Sequence, residues 1–196
     1  MYTMSGFGSW VIIAIVVLIP VYGIFLYNSL VQSKNQTQNG WQQIDVQLKR
    51  RYDLIPNLVE AAKDYMGFEQ ETLQKVITAR NTAVASNDGK ASPVLAEAEK
   101  NLTQNLKQFF ALAESYPDLK SNQTVQQLME EITTTENKIS FARQFYNDSV
   151  MSFNNRTQMF PSNLIANWFH FGAVPYFILD EEEQKLAKNP VKVNLR

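Results

Sequence analysis

From Trp10 to Leu26 the side chains are apolar almost without a break, interrupted only by Pro20, Tyr22 and Gly23, and the first charged residue is Lys34. The pattern predicts a helix in a membrane. Extended to Tyr27, Leu30 and Val31, the segment reaches about 20 residues, which at about 1.5 Å each cross a hydrocarbon core of roughly 30 Å. Its dozen or so Leu, Ile, Val and Phe side chains, at about 0.3 to 0.6 kcal/mol each on insertion, outweigh one proline and one glycine. Trp10 and Tyr27 stand where interfacial aromatic rings belong. A single transmembrane helix is expected over 10–31, after a short tail over 1–9.

Beyond the span the period changes. Trp41, Ile44, Leu48, Ile55, Val59, Ala62 and Met66 recur at three-, four- and seven-residue steps, the stripe of a core-facing helix. Nothing between Asn28 and Gly40 stops that helix from continuing out of the span. Pro56 removes an amide from the hydrogen-bond ladder, which predicts a kink and a freed carbonyl at Tyr52. Gly67 offers a break. A short second helix carries Leu73, Val76, Ile77 and Arg80 and ends in Ser86-Asn87-Asp88-Gly89. Ser92 caps a third, with Pro93 in its first turn. The third stripe, Leu95, Ala98, Leu102, Leu106, Phe109, Ala113 and Tyr116, stops at Pro117 and leaves Asp118 as a turn residue. Asn122 caps the fourth, where Val125, Leu128, Ile132, Ile139, Tyr146, Val150 and Phe153 repeat in coiled-coil-like register to about Thr157. Glu136 and Arg143, seven residues apart, share one face of it. The seven glycines and seven prolines gather at a few places, so the chain is expected to be all-α.

Charge narrows the function. The net charge is −1, and the one short basic run is Lys49-Arg50-Arg51, so nucleic acid is not an expected partner. Lys34, Lys49, Arg50 and Arg51 follow the span and no basic residue precedes it. The positive-inside rule then puts the N-terminus outside and the C-terminal domain in the cytoplasm. Residues 1–9 lack the basic region of a cleaved signal peptide, so the span is expected to stay as an anchor. With no cysteine there is neither a disulfide nor an acylation site.

Longer motifs add a resemblance. Tyr27-Asn28-Ser29-Leu30-Val31 and Gln47-Leu48-Lys49-Arg50-Arg51-Tyr52-Asp53-Leu54-Ile55-Pro56-Asn57-Leu58-Val59-Glu60 resemble the signature of the bacterial LemA family. Ala113-Glu114-Ser115-Tyr116-Pro117-Asp118-Leu119-Lys120, Thr135-Glu136-Asn137-Lys138-Ile139, Ala142-Arg143-Gln144-Phe145-Tyr146-Asn147 and Phe160-Pro161-Ser162-Asn163 follow in the family's order. The resemblance covers roughly residues 25–180. It implies an up-and-down four-helix bundle of long antiparallel helices, here over 32–157, behind a single anchor in a bacterial cell membrane. The family has no established biochemical activity. It more usually has His or Pro near Gly67-Phe68, which bears on where the second helix starts.

Catalytic chemistry finds little to work with. The single histidine, His170, lies among Trp168, Phe169 and Phe171, where an ordinary interfacial side chain is expected. Glu60, Glu114 and Glu136 come from three helices, but the Glu-x-x-His motifs of di-metal carboxylate bundles are absent, so neither metal nor cofactor is expected. Arg51, Asn57, Glu60, Glu114, Glu136, Arg143 and Asn147 fall beside the apolar seams, where facing helices bring opposite charges together. They are expected to form a buried polar network that sets helix register, with Glu136 or an acid of a neighbouring helix neutralising Arg143.

Residues 158–179 form a second apolar stretch, too interrupted by Pro161, Asn163, Asn167, Gly172 and Pro175 to be a good span. Four alternating helices return the chain to the membrane. Trp168, Phe169 and Phe171 are therefore expected at headgroup level or against a neighbouring subunit, or else packed over the end of their own bundle. The tail over 180–196 separates Asp180-Glu181-Glu182-Glu183 from Lys185, Lys188, Lys192 and Arg196, which suits a solvated end or a head-to-tail contact between copies. Phe109 with Phe110 and Phe141 with Phe145 add apolar surface beyond one seam per helix. The expectation is a membrane-anchored scaffold, not an enzyme, that touches lipid and forms a homo-oligomer. The alternative is an adaptor presenting a helical groove to another membrane protein or enzyme.

Overall fold

The computed structural model describes residues 4–66 and 69–179, so the expected break at Gly67 and the charged tail over 180–196 lie outside the described residues. All regular structure among the described residues is helical: α1 (Met4–Lys63), α2 (Gln70–Ser86), α3 (Pro93–Ala113), α4 (Pro117–Ser121), α5 (Gln123–Gln158) and α6 (Ser162–Trp168). The apolar segment and the first core stripe belong to one helix, α1. The chain forms two compact units, Met1–Asn39 with Asp148–Val174 and Gly40–Asn147 with Pro175–Arg196.

In the unit that begins at Gly40, all seven residues of the α1 stripe are buried, and Tyr52 and Leu58 join them. The core also takes in Leu73, Val76 and Ala83 of α2, Leu95, Leu102, Leu106 and Phe109 of α3, and Phe177 beyond α6. On α5 the buried positions Val125, Ile132, Thr135, Ile139, Ala142 and Tyr146 follow alternating three- and four-residue steps, with Leu128 half-buried between them. Thr135 keeps its place on that seam because its hydroxyl donates to the Ile132 carbonyl at 2.7 Å. A Cβ on Gly40 would stand 3.1 Å from the Cα of Tyr146, so only glycine lets α1 lie this close to α5.

The capping residues work as their sequence positions imply. Ser92 accepts from the Leu95 amide and Asn122 from the Val125 amide, each at 3.1 Å. Pro56 leaves the Tyr52 carbonyl without its intrahelical amide, and Arg80 of α2 donates its Nε to that oxygen at 3.1 Å. One expectation needs correcting. Asp118 is not in a simple turn: α3 ends at Ala113, and Pro117 opens the short helix α4, whose first position tolerates the missing amide. Leu119 then buries the insertion against the core.

The unit that begins at the N-terminus buries Leu30, Ser33 and Thr37 of α1 and Ser149, Val150, Phe153 and Asn154 of α5. Helix α6 closes with the Phe171 amide on the Ala166 carbonyl and the His170 amide on that of Asn167. His170 takes the left-handed conformation, φ 57°, at the position where such a cap usually has glycine. Asn154 then pins Val174 by accepting from its amide and donating to its carbonyl, each at 2.9 Å.

Candidate functional site

Arg51 is the largest side chain in the fully buried set, at 2% exposure. Its Nη2 pairs with Glu99 of α3 and its Nη1 with Glu136 of α5, and Nη1 also donates to Thr103 at 3.2 Å. The Tyr52 hydroxyl donates to the second oxygen of Glu99, and Thr103 donates to Glu136 at 3.4 Å. Burial lowers the Arg51 pKa from its ordinary value, with Glu136 acting the other way, and burial pushes the Tyr52 phenol up to about 12. A planar guanidinium binding two carboxylates from two other helices is a directional lock on their axial positions. It offers no nucleophile.

The network takes in Arg51 and Glu136 of the residues expected from sequence and adds Tyr52, Glu99 and Thr103. Tyr52 and Glu99 sit at heptad spacing inside their stripes, four residues after Leu48 and Leu95 and three before Ile55 and Leu102. Reading strict register rather than apolar character finds both. Asn57 and Glu60 point to solvent, Glu60 pairing with Lys63, while exposed Glu114 lies 3.8 Å from Lys120. The turn after Pro56 and the last turn of α3 set these three outside the seam. Asn147 instead holds the chain beyond α6: it accepts from the Phe177 amide at 2.9 Å and donates to the Phe177 carbonyl at 3.1 Å. Tyr146, raised to about 12 by burial, donates to the Pro175 carbonyl at 2.8 Å.

Glu136 is also part of the wall of a groove of about 210 Å³ between α3 and α5. Lys100, Thr103, Gln104 and Lys107 line one side, Ile139, Ser140 and Arg143 the other, and Leu179 one end. Arg143 thus stands beside Glu136, whose carboxylate is engaged by Arg51.

The aromatic segment divides in two. Phe171 turns inward, 5.8 Å from the Tyr27 ring and 6.3 Å from that of Phe153, with the Lys34 ammonium 5.7 Å above it. Phe169 packs on Tyr27 at 4.6 Å yet stays half exposed. Phe160 and Trp168 turn outward, each 80% exposed, with Leu164 beside them in α6. Ile165 reaches Gly23 of the apolar part of α1, and Arg156 donates to Ser29 at 2.5 Å. The outward rings therefore belong to a helix that touches the end of the apolar run.

A sequence model of the LemA family matches residues 40–194. The chain belongs to the LemA family. Protein LemA of Metamycoplasma hominis is 28% identical over 176 residues, covering 87% of this chain and 80% of its own length. Magnetosome protein MamQ 2 of Paramagnetospirillum magneticum is 22% identical over 190 residues, 84% of this chain and 68% of its own length. Magnetosome protein MamQ of Magnetospirillum gryphiswaldense is 22% identical over 174 residues, 77% of this chain and 64% of its own. The LemA match contains the whole Arg51 network, the groove and the aromatic segment, while the apolar part of α1 precedes it. These matches indicate no enzyme family.

Proposed function

We propose that this LemA-family chain is a single-pass, membrane-anchored scaffold that self-associates at a bacterial cell membrane. The observation that carries the reading is the surface of α1. Val16, Val17, Leu18, Ile19, Val21, Tyr22, Ile24 and Phe25 are each between 52% and 67% exposed, and at about 100° per residue they point to every side of the helix. A helix apolar all round and covered by no protein calls for hydrocarbon. α1 is long and apolar enough to cross a membrane. In this reading α1 beyond residue 32, α2, α3 and α5 form an up-and-down four-helix bundle on the cytoplasmic side. Phe160, Trp168 and Phe169 meet the headgroups or a neighbouring copy. Phe141 and Phe145, one turn apart on α5 and 73% and 40% exposed, supply an apolar flank for lateral contact. The two magnetosome relatives are named for a cell structure and not for a reaction, which supports a structural role over a catalytic one.

The topology test uses the full chain with a reporter after Arg196. It is expected to be active in the cytoplasm, and the protein to stay with membranes through alkaline extraction. Digestion of the C-terminal domain by protease outside intact cells, or release of the protein at high pH, contradicts the reading.

A further inference from the structure

The groove between α3 and α5 carries a charge surplus. Lys100 and Lys107, seven residues apart on one face of α3, line it together with Arg143, while its carboxylate, Glu136, is engaged by Arg51. Among the described residues neither Lys100 nor Lys107 pairs with a carboxylate. Two ammonium groups on one wall, beside a guanidinium on the other, make a site for an anionic segment. The groove's end residue, Leu179, is followed in the sequence by Asp180-Glu181-Glu182-Glu183. At about 3.3 to 3.6 Å per residue, four residues reach about 14 Å, enough to cover the roughly 10 Å of helix between the two lysines.

We propose that this groove is a docking site for acidic peptide, and that its resident occupant is the chain's own run Asp180–Glu183. The tether raises the local concentration of the acids to the millimolar range or above, so individually weak surface pairs suffice. An occupant held in this way leaves when a more strongly acidic partner segment arrives, which makes the groove a gated binding surface. The inference is independent of the membrane-scaffold reading.

The test is zero-length carbodiimide cross-linking of the full-length protein in detergent, using an equal mixture of nitrogen-15-labelled and unlabelled chains. Peptides joining Lys100 or Lys107 to Asp180–Glu183 within one isotopic label are expected. They are expected to vanish in the variant Asp180→Asn with Glu181→Gln, Glu182→Gln and Glu183→Gln. With the tethered acids neutralised, a fluorescein-labelled Asp-Glu-Glu-Glu peptide is expected to bind about tenfold tighter than to the parent at low salt, and Lys100→Glu with Lys107→Glu is expected to abolish that binding. Cross-links that join the two labels assign the groove to a second copy and overturn the proposal. So do the absence of such cross-links in either form and equal peptide binding by parent and neutralised variant.

Discussion

Arg51 shows most clearly what one residue contributes. Removing one partner of a buried ion pair leaves a bare charge and costs about 3–5 kcal/mol, whereas exposed pairs are worth about 0–1 kcal/mol. Glu99→Ala is therefore expected to destabilise the full-length protein by about 3–5 kcal/mol in denaturant unfolding followed by circular dichroism. Glu60→Ala and Glu114→Ala, which trim exposed carboxylates, are expected to change stability by less than about 0.5 kcal/mol. Equal effects from all three variants contradict the network. A second expectation concerns alkaline pH. The Tyr52 phenol is raised from 10.0 to about 12 in the folded chain, so its contribution is complete below pH 10 and is lost as the pH rises toward 12. Tyr52→Phe is expected to flatten the fall in unfolding free energy across that interval, and an unchanged slope contradicts the burial. Arg51 was legible in the sequence as a charge inside an apolar stripe. Glu99 was not, because charge at a stripe position looks like the stripe's edge until a partner on another helix is known.

Helix boundaries depend on caps and breakers, and these were the most legible features of the chain. Ser92, Asn122 and the Ser86-Asn87-Asp88-Gly89 loop each act as their side chains and spacing imply. Less visible was α4, because Pro117 both stops a helix and starts one, and only the buried Leu119 makes the second role worthwhile. The α5 seam was half legible: Thr135 and Ala142 occupy heptad positions but are too polar or too small to register in an apolar pattern. Pro56 allows a test at this scale. Arg80→Met deprives the Tyr52 carbonyl of its donor and is expected to cost about 1–2 kcal/mol. In a Pro56→Ala background, where the residue-56 amide takes that carbonyl, the same substitution is expected to cost markedly less. Denaturant unfolding of the four proteins of this cycle checks the coupling, and an identical cost in both backgrounds denies it.

For the whole molecule, the family motifs and the helical periodicity made the all-α class readable, and the apolar run made the anchor readable. The destination of residues 158–179 was not. Composition marks that segment as aromatic, but only its contacts separate Phe171, packed on Tyr27 and Phe153, from Phe160 and Trp168, which face outward. This sorting decides which substitutions report on association. Phe171 variants disturb the chain's own packing, whereas Phe160→Ser with Trp168→Ser removes exposed surface alone. Membrane confinement raises the effective concentration of copies, so a modest lateral patch suffices there even if it is too weak in solution. The most direct measurement is the mass of the full-length protein solubilised across a range of detergents and concentrations. A homo-oligomer is expected, weakened by Phe160→Ser with Trp168→Ser and by Phe141→Ser. A single chain under every condition contradicts the scaffold and favours an adaptor that presents its surface to another membrane protein.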